Sequence, residues 1–181
     1  YAFINRIMPK YLHRLKLYQE PQPLFSKFLL DAQIETINQP EVTLHSGGSI
    51  VINTTEAVVA VDVNSGRSTG QSDVEETAFA TNREAAIEIA RQLRLRDLGG
   101  LVVIDFIDMA DRRHKQIIEK TIKDSVKYDK AKVEVGRISK FGLLELSRQR
   151  LKTSLISQSH AICPHCDGRG RVKNPEVAAL E

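Results

Sequence analysis

Two stretches of the chain are almost continuously apolar, and each runs onto an aspartate. The first is Val58–Asn64, which contains Asp62, and the second is Leu101–Phe106, which contains Asp105. Val, Ile and Leu in sequence without polar alternation predict strands that are covered on both faces. A carboxylate is costly inside such a strand unless it is paired or holds a cation. At the carboxyl end of a strand it faces the region where α/β sheets bind ligands.

The pattern around these stretches alternates predicted strands with predicted helices. After residue 37 the predicted elements are a hairpin (41–45 and 49–53), the Asp62 strand, a helix over 74–96, the Asp105 strand, a helix over 112–127, and strands near 132–135 and 143–146. This order predicts an α/β domain with a mixed sheet and flanking helices. Before it, the sequence predicts a basic amphipathic segment over 1–20 and a helix over 24–37.

The two long predicted helices each carry an apolar stripe at helical spacing. In the first helix the stripe is Val74, Ala78, Ala85, Ile89 and Leu93, and in the second it is Ile118, Ile122 and Val126. A capping-box pattern, Ser72-Asp73-Val74-Glu75, precedes the first stripe. The chain opens without an initiator Met in what reads as the middle of a helix, so we expect a fragment of a longer protein.

Composition places the chain in an ordinary class. The hydrophobic content of 41% and charged content of 27% are typical of a soluble globular protein. No apolar run approaches the roughly 20 residues of a membrane span, and no signal-peptide pattern opens the chain. Cys163 and Cys166 are too close to staple the fold, which favours a reducing, cytoplasmic setting.

The net charge of +3 is unevenly distributed. Between Arg112 and Lys152 there are 13 Lys and Arg against 5 Asp and Glu. A basic half beside an acidic remainder suggests a polyanionic partner. The alternative is a solvated charged helix over 112–130.

The aspartates suggest a metal site. Side chains two apart in a strand point the same way, so Asp62 and Asn64 share a face. If the two strands are neighbours, Asp62 and Asp105 converge on one hard cation, most simply Mg²⁺. The alternative is that both aspartates cap turns at strand ends. Asp108 is expected to cap the following helix, with Asp111 as a competitor.

The segment Cys163-Pro-His-Cys166 has the spacing of half a zinc knuckle. A structural zinc ion needs four ligands and this segment offers two thiolates. His160 and His165 could complete the set within the chain, or a second copy of the chain could supply two more cysteines. The remaining histidines, His13, His45 and His114, are expected to be solvated.

With these residues assembled, the chain closely resembles the ribonuclease E/G family of bacterial and plastid endoribonucleases. The resemblance covers nearly the whole chain in order. The matching stretches are Pro23–Phe25, Ser46–Gly66 (SGGSIVINTTEAVVAVDVNSG), Glu75–Met109 (EETAFATNREAAIEIARQLRLRDLGGLVVIDFIDM), Ile138–Leu151 (ISKFGLLELSRQRL) and Cys163–Gly170 (CPHCDGRG).

The resemblance implies roles for individual residues. It implies that Asp62 and Asp105 bind Mg²⁺, with Asn64 supporting them as a catalytic residue. It also implies that Cys163 and Cys166 bind Zn²⁺ together with the same cysteines of a second chain, giving a homodimer, and a dimer of dimers in the full-length protein. Lys132 matches a position that serves a pocket for the 5′-monophosphorylated RNA end.

The resemblance also implies a domain plan and an activity. Residues 1–37 would end an RNase H-like subdomain, 38–159 would form a DNase I-like catalytic subdomain, and 160–181 would be the zinc link and tail. The expected activity is Mg²⁺-dependent hydrolysis of single-stranded RNA to 5′-phosphate and 3′-hydroxyl ends, in the bacterial cytoplasm or plastid stroma. Arg148 and Arg150 are expected to contact flanking phosphates. The alternative is a non-catalytic module for RNA binding and zinc-mediated dimerisation.

Overall fold

The computed structural model describes residues 1–37 (backbone only at 32 and 33), 39–66, 74–152, 161, 163–166, 168 and 170. The chain divides into two compact units, Tyr1–Thr36 and Ile37–Glu181. The first unit contains α1 (Ala2–Ile7), a 3-10 helix (Pro9–Arg14), α2 (Leu24–Lys27) and the start of α3 (Leu30–Ile37). None of the described side chains of residues 1–36 is buried.

The single helix predicted over residues 24–37 is two helices. The chain breaks between α2 and α3, where Leu29 has a φ of 53°. A left-handed conformation is unfavourable for a residue with a Cβ atom and cannot continue a right-handed helix. The apolar pattern alone did not reveal this break.

The second unit is a six-stranded mixed sheet with two long helices. Its elements are β1 (Glu41–Thr43), β2 (Ser49–Thr54), β3 (Val58–Asn64), α4 (Val74–Leu95), β4 (Gly100–Asp105), α5 (Arg112–Val126), β5 (Val133–Ile138) and β6 (Leu143–Arg148). The strand order is β1-β2-β3-β4-β6-β5. β3 and β4 run parallel, and the other neighbouring pairs are antiparallel. The predicted α/β class with a mixed sheet is confirmed.

The core lies on one face of this sheet. In β3 the alternate residues Val59, Val61 and Val63 are buried, and in β4 Val102 and Ile104 are buried. Cross-strand register places these residues on one face with the buried residues of β2 and β6. The apolar stripes of both long helices belong to the same core, with Ala85 and Ile89 from α4 and Ile118, Ile122 and Val126 from α5.

The expectation that β3 and β4 are covered on both faces is wrong for the described residues. Ala60 and Asp62 in β3 are exposed, as are Leu101 and Asp105 in β4. These residues form an open sheet face, opposite the face on which the core lies. Val74 was also expected to point inward, but it is 83% exposed at the first position of α4.

Candidate active site

Asp62 and Asp105 lie side by side at the carboxyl ends of β3 and β4. They are register partners across the parallel pair, so both point to the open sheet face. The strands are neighbours, as the proposed convergence of the two carboxylates requires. The Asn64 Nδ2 donates a hydrogen bond of 2.9 Å to the Asp62 Oδ2. This bond fixes the orientation of the Asp62 carboxylate.

A pocket of about 470 Å³ opens beside the two aspartates. Asp62, Asn64 and Asp105 line it together with Asp108 and Phe141. We name this surface the acidic pocket. Burial raises the pKa of Asp105, and the charges of Asp62 and Asp108 raise it further. A group of neighbouring carboxylates favours a bound cation, because a cation relieves their repulsion.

Asp108 does not cap α5, contrary to expectation. The cap is Asp111, whose Oδ1 accepts a hydrogen bond of 2.7 Å from the Arg113 N–H. Asp108 instead faces the acidic pocket, close to Gly142 in the β5–β6 turn. A Cβ atom on Gly142 would lie 3.2 Å from the Asp108 Oδ1. The sequence pattern did not identify Asp108 as part of the site.

The segment after β4 is held by a buried side chain of α4. The Asn82 Nδ2 donates to the Ile107 carbonyl at 2.8 Å, and the Asn82 Oδ1 accepts from the Ile107 N–H at 3.0 Å. Asn82 is fully buried. A side-chain amide satisfies a backbone donor and acceptor together in this way, so Asn82 fixes the backbone between Asp105 and Asp108. No sequence motif indicated this role.

Glu75, at the second position of α4, holds the next part of the same segment. Its carboxylate accepts hydrogen bonds from the Ala110 N–H at 2.8 Å and the Asp111 N–H at 3.2 Å, and it contacts the His114 Nδ1 at 2.8 Å. The Ala110 hydrogen bond and then the His114 contact lower the pKa of Glu75. His114, expected to be solvated, is partly buried and stacks on Phe79 with ring centroids 4.2 Å apart. The predicted capping box lies partly outside the described residues.

The β1–β2 turn is anchored from the same helix. The Glu84 carboxylate accepts hydrogen bonds from the His45 and Ser46 N–H groups. Burial opposes ionisation of Glu84, but the Ser46 and His45 hydrogen bonds outweigh it and lower its pKa. The turn then packs against the end of β3, where a Cβ atom on Gly48 would lie 2.6 Å from the Asn64 carbonyl oxygen. Glycine at this position therefore allows the backbone to approach Asn64.

Arg148 is not available to contact RNA, which corrects its expected role. Its side chain is 2% exposed and forms ion pairs with Asp129 at 2.8 Å and Asp97 at 3.1 Å. It also donates to the Leu98 carbonyl at 2.8 Å. Burial lowers the pKa of Arg148, but the hydrogen bonds with Asp129 and Asp97 outweigh burial and raise it. The guanidinium therefore joins the segments after α4 and α5 inside the fold.

Lys132 and Arg150, the other expected RNA contacts, are exposed. Lys132 pairs with Glu134 at 2.9 Å. Arg150 covers Gly99 and Gly100, where β4 begins, and lines a separate cavity of about 450 Å³ at that end of the sheet. Because Asp105 ends β4, Arg150 lies roughly 20 Å from the acidic pocket at the usual rise per strand residue. The structure does not bring these two cations to the aspartates.

Cys163 is exposed and Cys166 is partly buried, and both are free thiols. The pKa of Cys163 is lowered by backbone hydrogen bonds from Cys166 and His165, a condition that favours the thiolate. His160 lies outside the described residues. Within the described parts of the chain, no group of three or more His, Cys, Asp or Glu side chains is arranged to hold a metal ion by itself. None of the described helices is both long and apolar enough to cross a membrane.

A family model and individual known proteins both relate the chain to the same family. Residues 1–151 match the model of the Ribonuclease E/G family. Ribonuclease E of Haemophilus influenzae is 57% identical over 177 residues, which are 98% of the chain and 19% of that protein. Ribonuclease E of Escherichia coli is 54% identical over 172 residues, 95% of the chain and 16% of that protein. Ribonuclease G of Haemophilus influenzae is 38% identical over 179 residues, 99% of the chain and 36% of that protein.

Proposed function

The chain belongs to the ribonuclease E/G family, and on that premise we propose that it carries the catalytic site of an endoribonuclease. The reaction is hydrolysis of single-stranded RNA to 5′-phosphate and 3′-hydroxyl ends. The chain spans 19% and 16% of the two ribonuclease E relatives, so the activity proposed is that of the longer protein. The observation that carries the proposal is the pairing of Asp62 with Asp105 on an open sheet face.

The residues of the acidic pocket fit Mg²⁺ as the cofactor. Mg²⁺ in phosphoryl-transfer sites is held by one or two carboxylates and keeps several waters and substrate oxygens as ligands. Asp62 and Asp105 supply that number of carboxylates, and Asp108 adds negative charge beside them. A complete protein cage is therefore not required. When bound, Mg²⁺ supplies positive charge at the scissile phosphate and acidifies a water for attack on phosphorus.

The protein's own contribution is to hold these carboxylates in place. Asn64 orients Asp62 through its Nδ2 hydrogen bond, and Asn82 fixes the backbone that follows Asp105. Their positions are set before substrate binds, so little reorganisation is needed during the reaction. Besides burial, the negative charges of Asp62 and Asp108 raise the pKa of Asp105, and a bound cation would relieve this repulsion.

RNA binding in the proposed enzyme uses the exposed basic residues. Lys132 and Arg150 are exposed and lie in the basic region between Arg112 and Lys152. At roughly 20 Å from the acidic pocket, Arg150 would neutralise a phosphate several nucleotides from the scissile bond. Within this proposal, residues 38–159 correspond to a DNase I-like subdomain and residues 1–37 to the end of an RNase H-like subdomain.

The zinc link is the remaining part of the proposal. Cys163 and Cys166 would bind one Zn²⁺ with the same two cysteines of a second chain. The lowered pKa of Cys163 supports metal binding, because the thiolate is the ligand form. Pairing of such dimers would give a dimer of dimers in the full-length protein.

Asp62→Asn and Asp105→Asn in the full-length protein test the catalytic proposal. Each variant is expected to lower Mg²⁺-dependent cleavage of a single-stranded RNA by about 100-fold or more, since the metal's charge is worth several kcal/mol. RNA binding measured without metal should change little. Asp124→Asn on the exposed end of α5 is the matched control, because Asp124 contacts only surface cations in the described contacts.

Two outcomes would overturn the assignment. Normal turnover by either site variant would show that the pair does not hold the catalytic metal. Salt-sensitive RNA binding by the unaltered protein, without cleavage at any Mg²⁺ concentration, would instead favour the non-catalytic RNA-binding and dimerisation module.

A further inference from the structure

We propose that Phe141 is a stacking platform for one RNA base next to the scissile phosphate. The inference rests on the proposed function, since it places a substrate base beside the acidic pocket. Phe141 lines that pocket with Asp62 and Asp105. It is also 71% exposed. Single exposed apolar residues are common on protein surfaces. What distinguishes Phe141 is its position beside the carboxylates of the acidic pocket.

The turn that presents Phe141 is ordered by its own hydrogen bonds. The Ser139 N–H donates to the Leu143 carbonyl at 2.8 Å, and the Gly142 N–H donates to the Ser139 carbonyl at 3.2 Å. The Ser139 hydroxyl oxygen accepts from the Phe141 N–H at 3.2 Å. The backbone that carries the ring is therefore held on a short β5–β6 connection. A rigid platform loses little conformational freedom when a base stacks on it.

Gly142 brings this turn close to the carboxylates. Its φ is 82°, a left-handed conformation that favours glycine. An added Cβ atom would lie 3.2 Å from the Asp108 Oδ1 and 4.0 Å from the Asp105 Oδ1. The backbone after Phe141 therefore lies beside Asp108 and Asp105, which places Phe141 at the rim of the acidic pocket.

Lys140 gives the same turn a positive charge. Its Nζ lies over the Phe141 ring, 4.9 Å from the centroid, and its side chain is exposed. A base would therefore stack on the opposite face of the ring. Single-stranded nucleic acids are bound by aromatic rings that stack on bases together with cations that follow the backbone. Phe141 and Lys140 provide both groups on adjacent residues. The expected ligand is therefore one nucleotide, with its base on the ring and a phosphate near the lysine.

Stacking on Phe141 also gives a physical reason for single-strand selectivity. A base in a duplex already stacks on its neighbours and must be unstacked before a side chain can reach its face. A phenylalanine ring carries no hydrogen-bond donor or acceptor, so it reads the presence of a base and not its identity. The platform should therefore accept any base but should reject a position that has none.

Abasic substitution tests this inference in the full-length protein. A short single-stranded RNA with one cleavage site is prepared intact and with an abasic residue at each position flanking that site. With intact RNA, Phe141→Ala is expected to lower kcat/KM by about tenfold or more, the usual effect of removing one stacking contact. Phe141→Tyr should restore the rate, because it keeps an aromatic face.

The decisive measurement is non-additivity at one position. When the abasic residue occupies the position that stacks on Phe141, the kcat/KM of the unaltered protein should fall to the value that Phe141→Ala shows with intact RNA. On the same abasic RNA, Phe141→Ala should lower kcat/KM no further. 2-Aminopurine at that position, measured without Mg²⁺, should be quenched by the unaltered protein and not by Phe141→Ala. Tyr128→Ala is the matched control, since Tyr128 is 87% exposed on the second unit but does not line the acidic pocket.

The experiment distinguishes a failure of this inference from a failure of the proposed function. Normal kcat/KM for Phe141→Ala on intact RNA would overturn the platform, as would an equal loss on every abasic substrate. Either result leaves Mg²⁺-dependent cleavage by the unaltered protein in place. If the unaltered protein does not cleave intact RNA at all, the proposed function itself is wrong.

Discussion

At Asp105, burial and two neighbouring carboxylates all raise the pKa of one side chain. A carboxyl group whose pKa is raised in the folded state favours folding at low pH, and that contribution is lost as pH rises through the folded pKa. The protein without a cation therefore becomes less stable as Asp105 ionises. A cation held by Asp62 and Asp105 would remove this penalty, so metal affinity and stability are linked at one residue.

At Arg148, in contrast to Asp105, neighbouring charges stabilise the ionised form, because the buried guanidinium forms ion pairs with Asp129 and Asp97. Replacing Arg148 with Ala leaves Asp129, whose side chain is 3% exposed, without its cation. Removing one partner of a buried ion pair typically costs about 3–5 kcal/mol. We therefore expect Arg148→Ala to lower the free energy of unfolding by about that amount in urea denaturation. Arg150→Ala, at an exposed residue, should be near neutral.

The pH dependence of this loss follows from Asp129. Burial raises the pKa of Asp129, but the hydrogen bonds from Arg148 and the Ala131 N–H, together with the nearby positive charges, outweigh burial and lower it. An acid with a depressed pKa stabilises the fold above its unfolded pKa, and this contribution is lost as pH falls through the folded pKa. The difference between the unaltered protein and Arg148→Ala should therefore narrow in acid. An unchanged stability at neutral pH would contradict the buried pair.

At the scale of elements, α4 holds two loops that reach the acidic pocket. Glu75 and Asn82 bind the segment after β4, and Glu84 binds the β1–β2 turn that packs against Asn64. One helix thus orders both ends of the Asp62–Asp105 site. Its apolar stripe contributes to the core, while its polar side chains hold the two loops beside Asp62 and Asp105.

Asn82→Ala should separate this positioning role from binding. It leaves the Ile107 N–H and carbonyl without their partner, at a cost of about 1–3 kcal/mol in stability. Because the backbone between Asp105 and Asp108 then shifts, kcat of the full-length protein should fall by about 10- to 100-fold. RNA affinity measured without metal should be unchanged.

Gln92→Ala is the matched control for this prediction. Gln92 is another buried polar residue of α4, and it bonds to Glu88 and Arg96 away from the pocket. Its replacement should reduce stability but spare kcat. Equal losses of kcat in the two variants would show that Asn82 acts only through general stability.

The apolar pattern predicted these elements where the signal was local. The stripe of Ile118, Ile122 and Val126 and the hairpin before β3 were both expected and are observed. The break at Leu29 and the exposure of Val74 were missed, because apolar spacing does not report backbone dihedral angles or where a helix stops contacting the sheet. Burial on one face was also missed, since a run of Val and Ile reads the same in either arrangement.

The candidate site was predictable only in part, because a local sequence pattern does not show contacts between residues that are far apart in the chain. Asp62, Asn64 and Asp105 could be identified because each follows an apolar strand and falls in a family motif. Asn82 is 25 residues from its partner Ile107, and Arg148 is 51 residues from Asp97. Contacts over such separations depend on the folded topology, which no local pattern contains.

At the scale of the whole molecule, the described residues of the first unit do not form a hydrophobic core of their own. Its described side chains include none that is buried, and large apolar residues such as Phe3 and Phe28 are more than half exposed. Helices of six, four and eight residues are too short to be stable in water without packing. The second unit has its own core, so the fold of the acidic pocket does not depend on a core in residues 1–36.

Cys163 and Cys166 lead to a prediction about how two chains assemble. Two thiolates fill half of a tetrahedral zinc site, and a two-fold related copy would supply the other half with the same geometry. We expect one Zn²⁺ per two chains in the full-length protein. Cys163→Ser should lower zinc content and dissociate the dimer together, without unfolding the second unit, whose buried core lies in β2–β6, α4 and α5.

Metal analysis combined with light scattering measures both quantities on one sample. Because zinc binds the thiolate, acid or a strong chelator should produce the same dissociation as Cys163→Ser. Ser159→Ala, which replaces neither a cysteine nor a histidine, is the control and should keep both zinc and dimer. One zinc per monomer would instead indicate that His160 or His165 completes a site within each chain. A dimer that survives complete removal of zinc would show that another surface joins the chains, and the cysteines would then have no part in assembly.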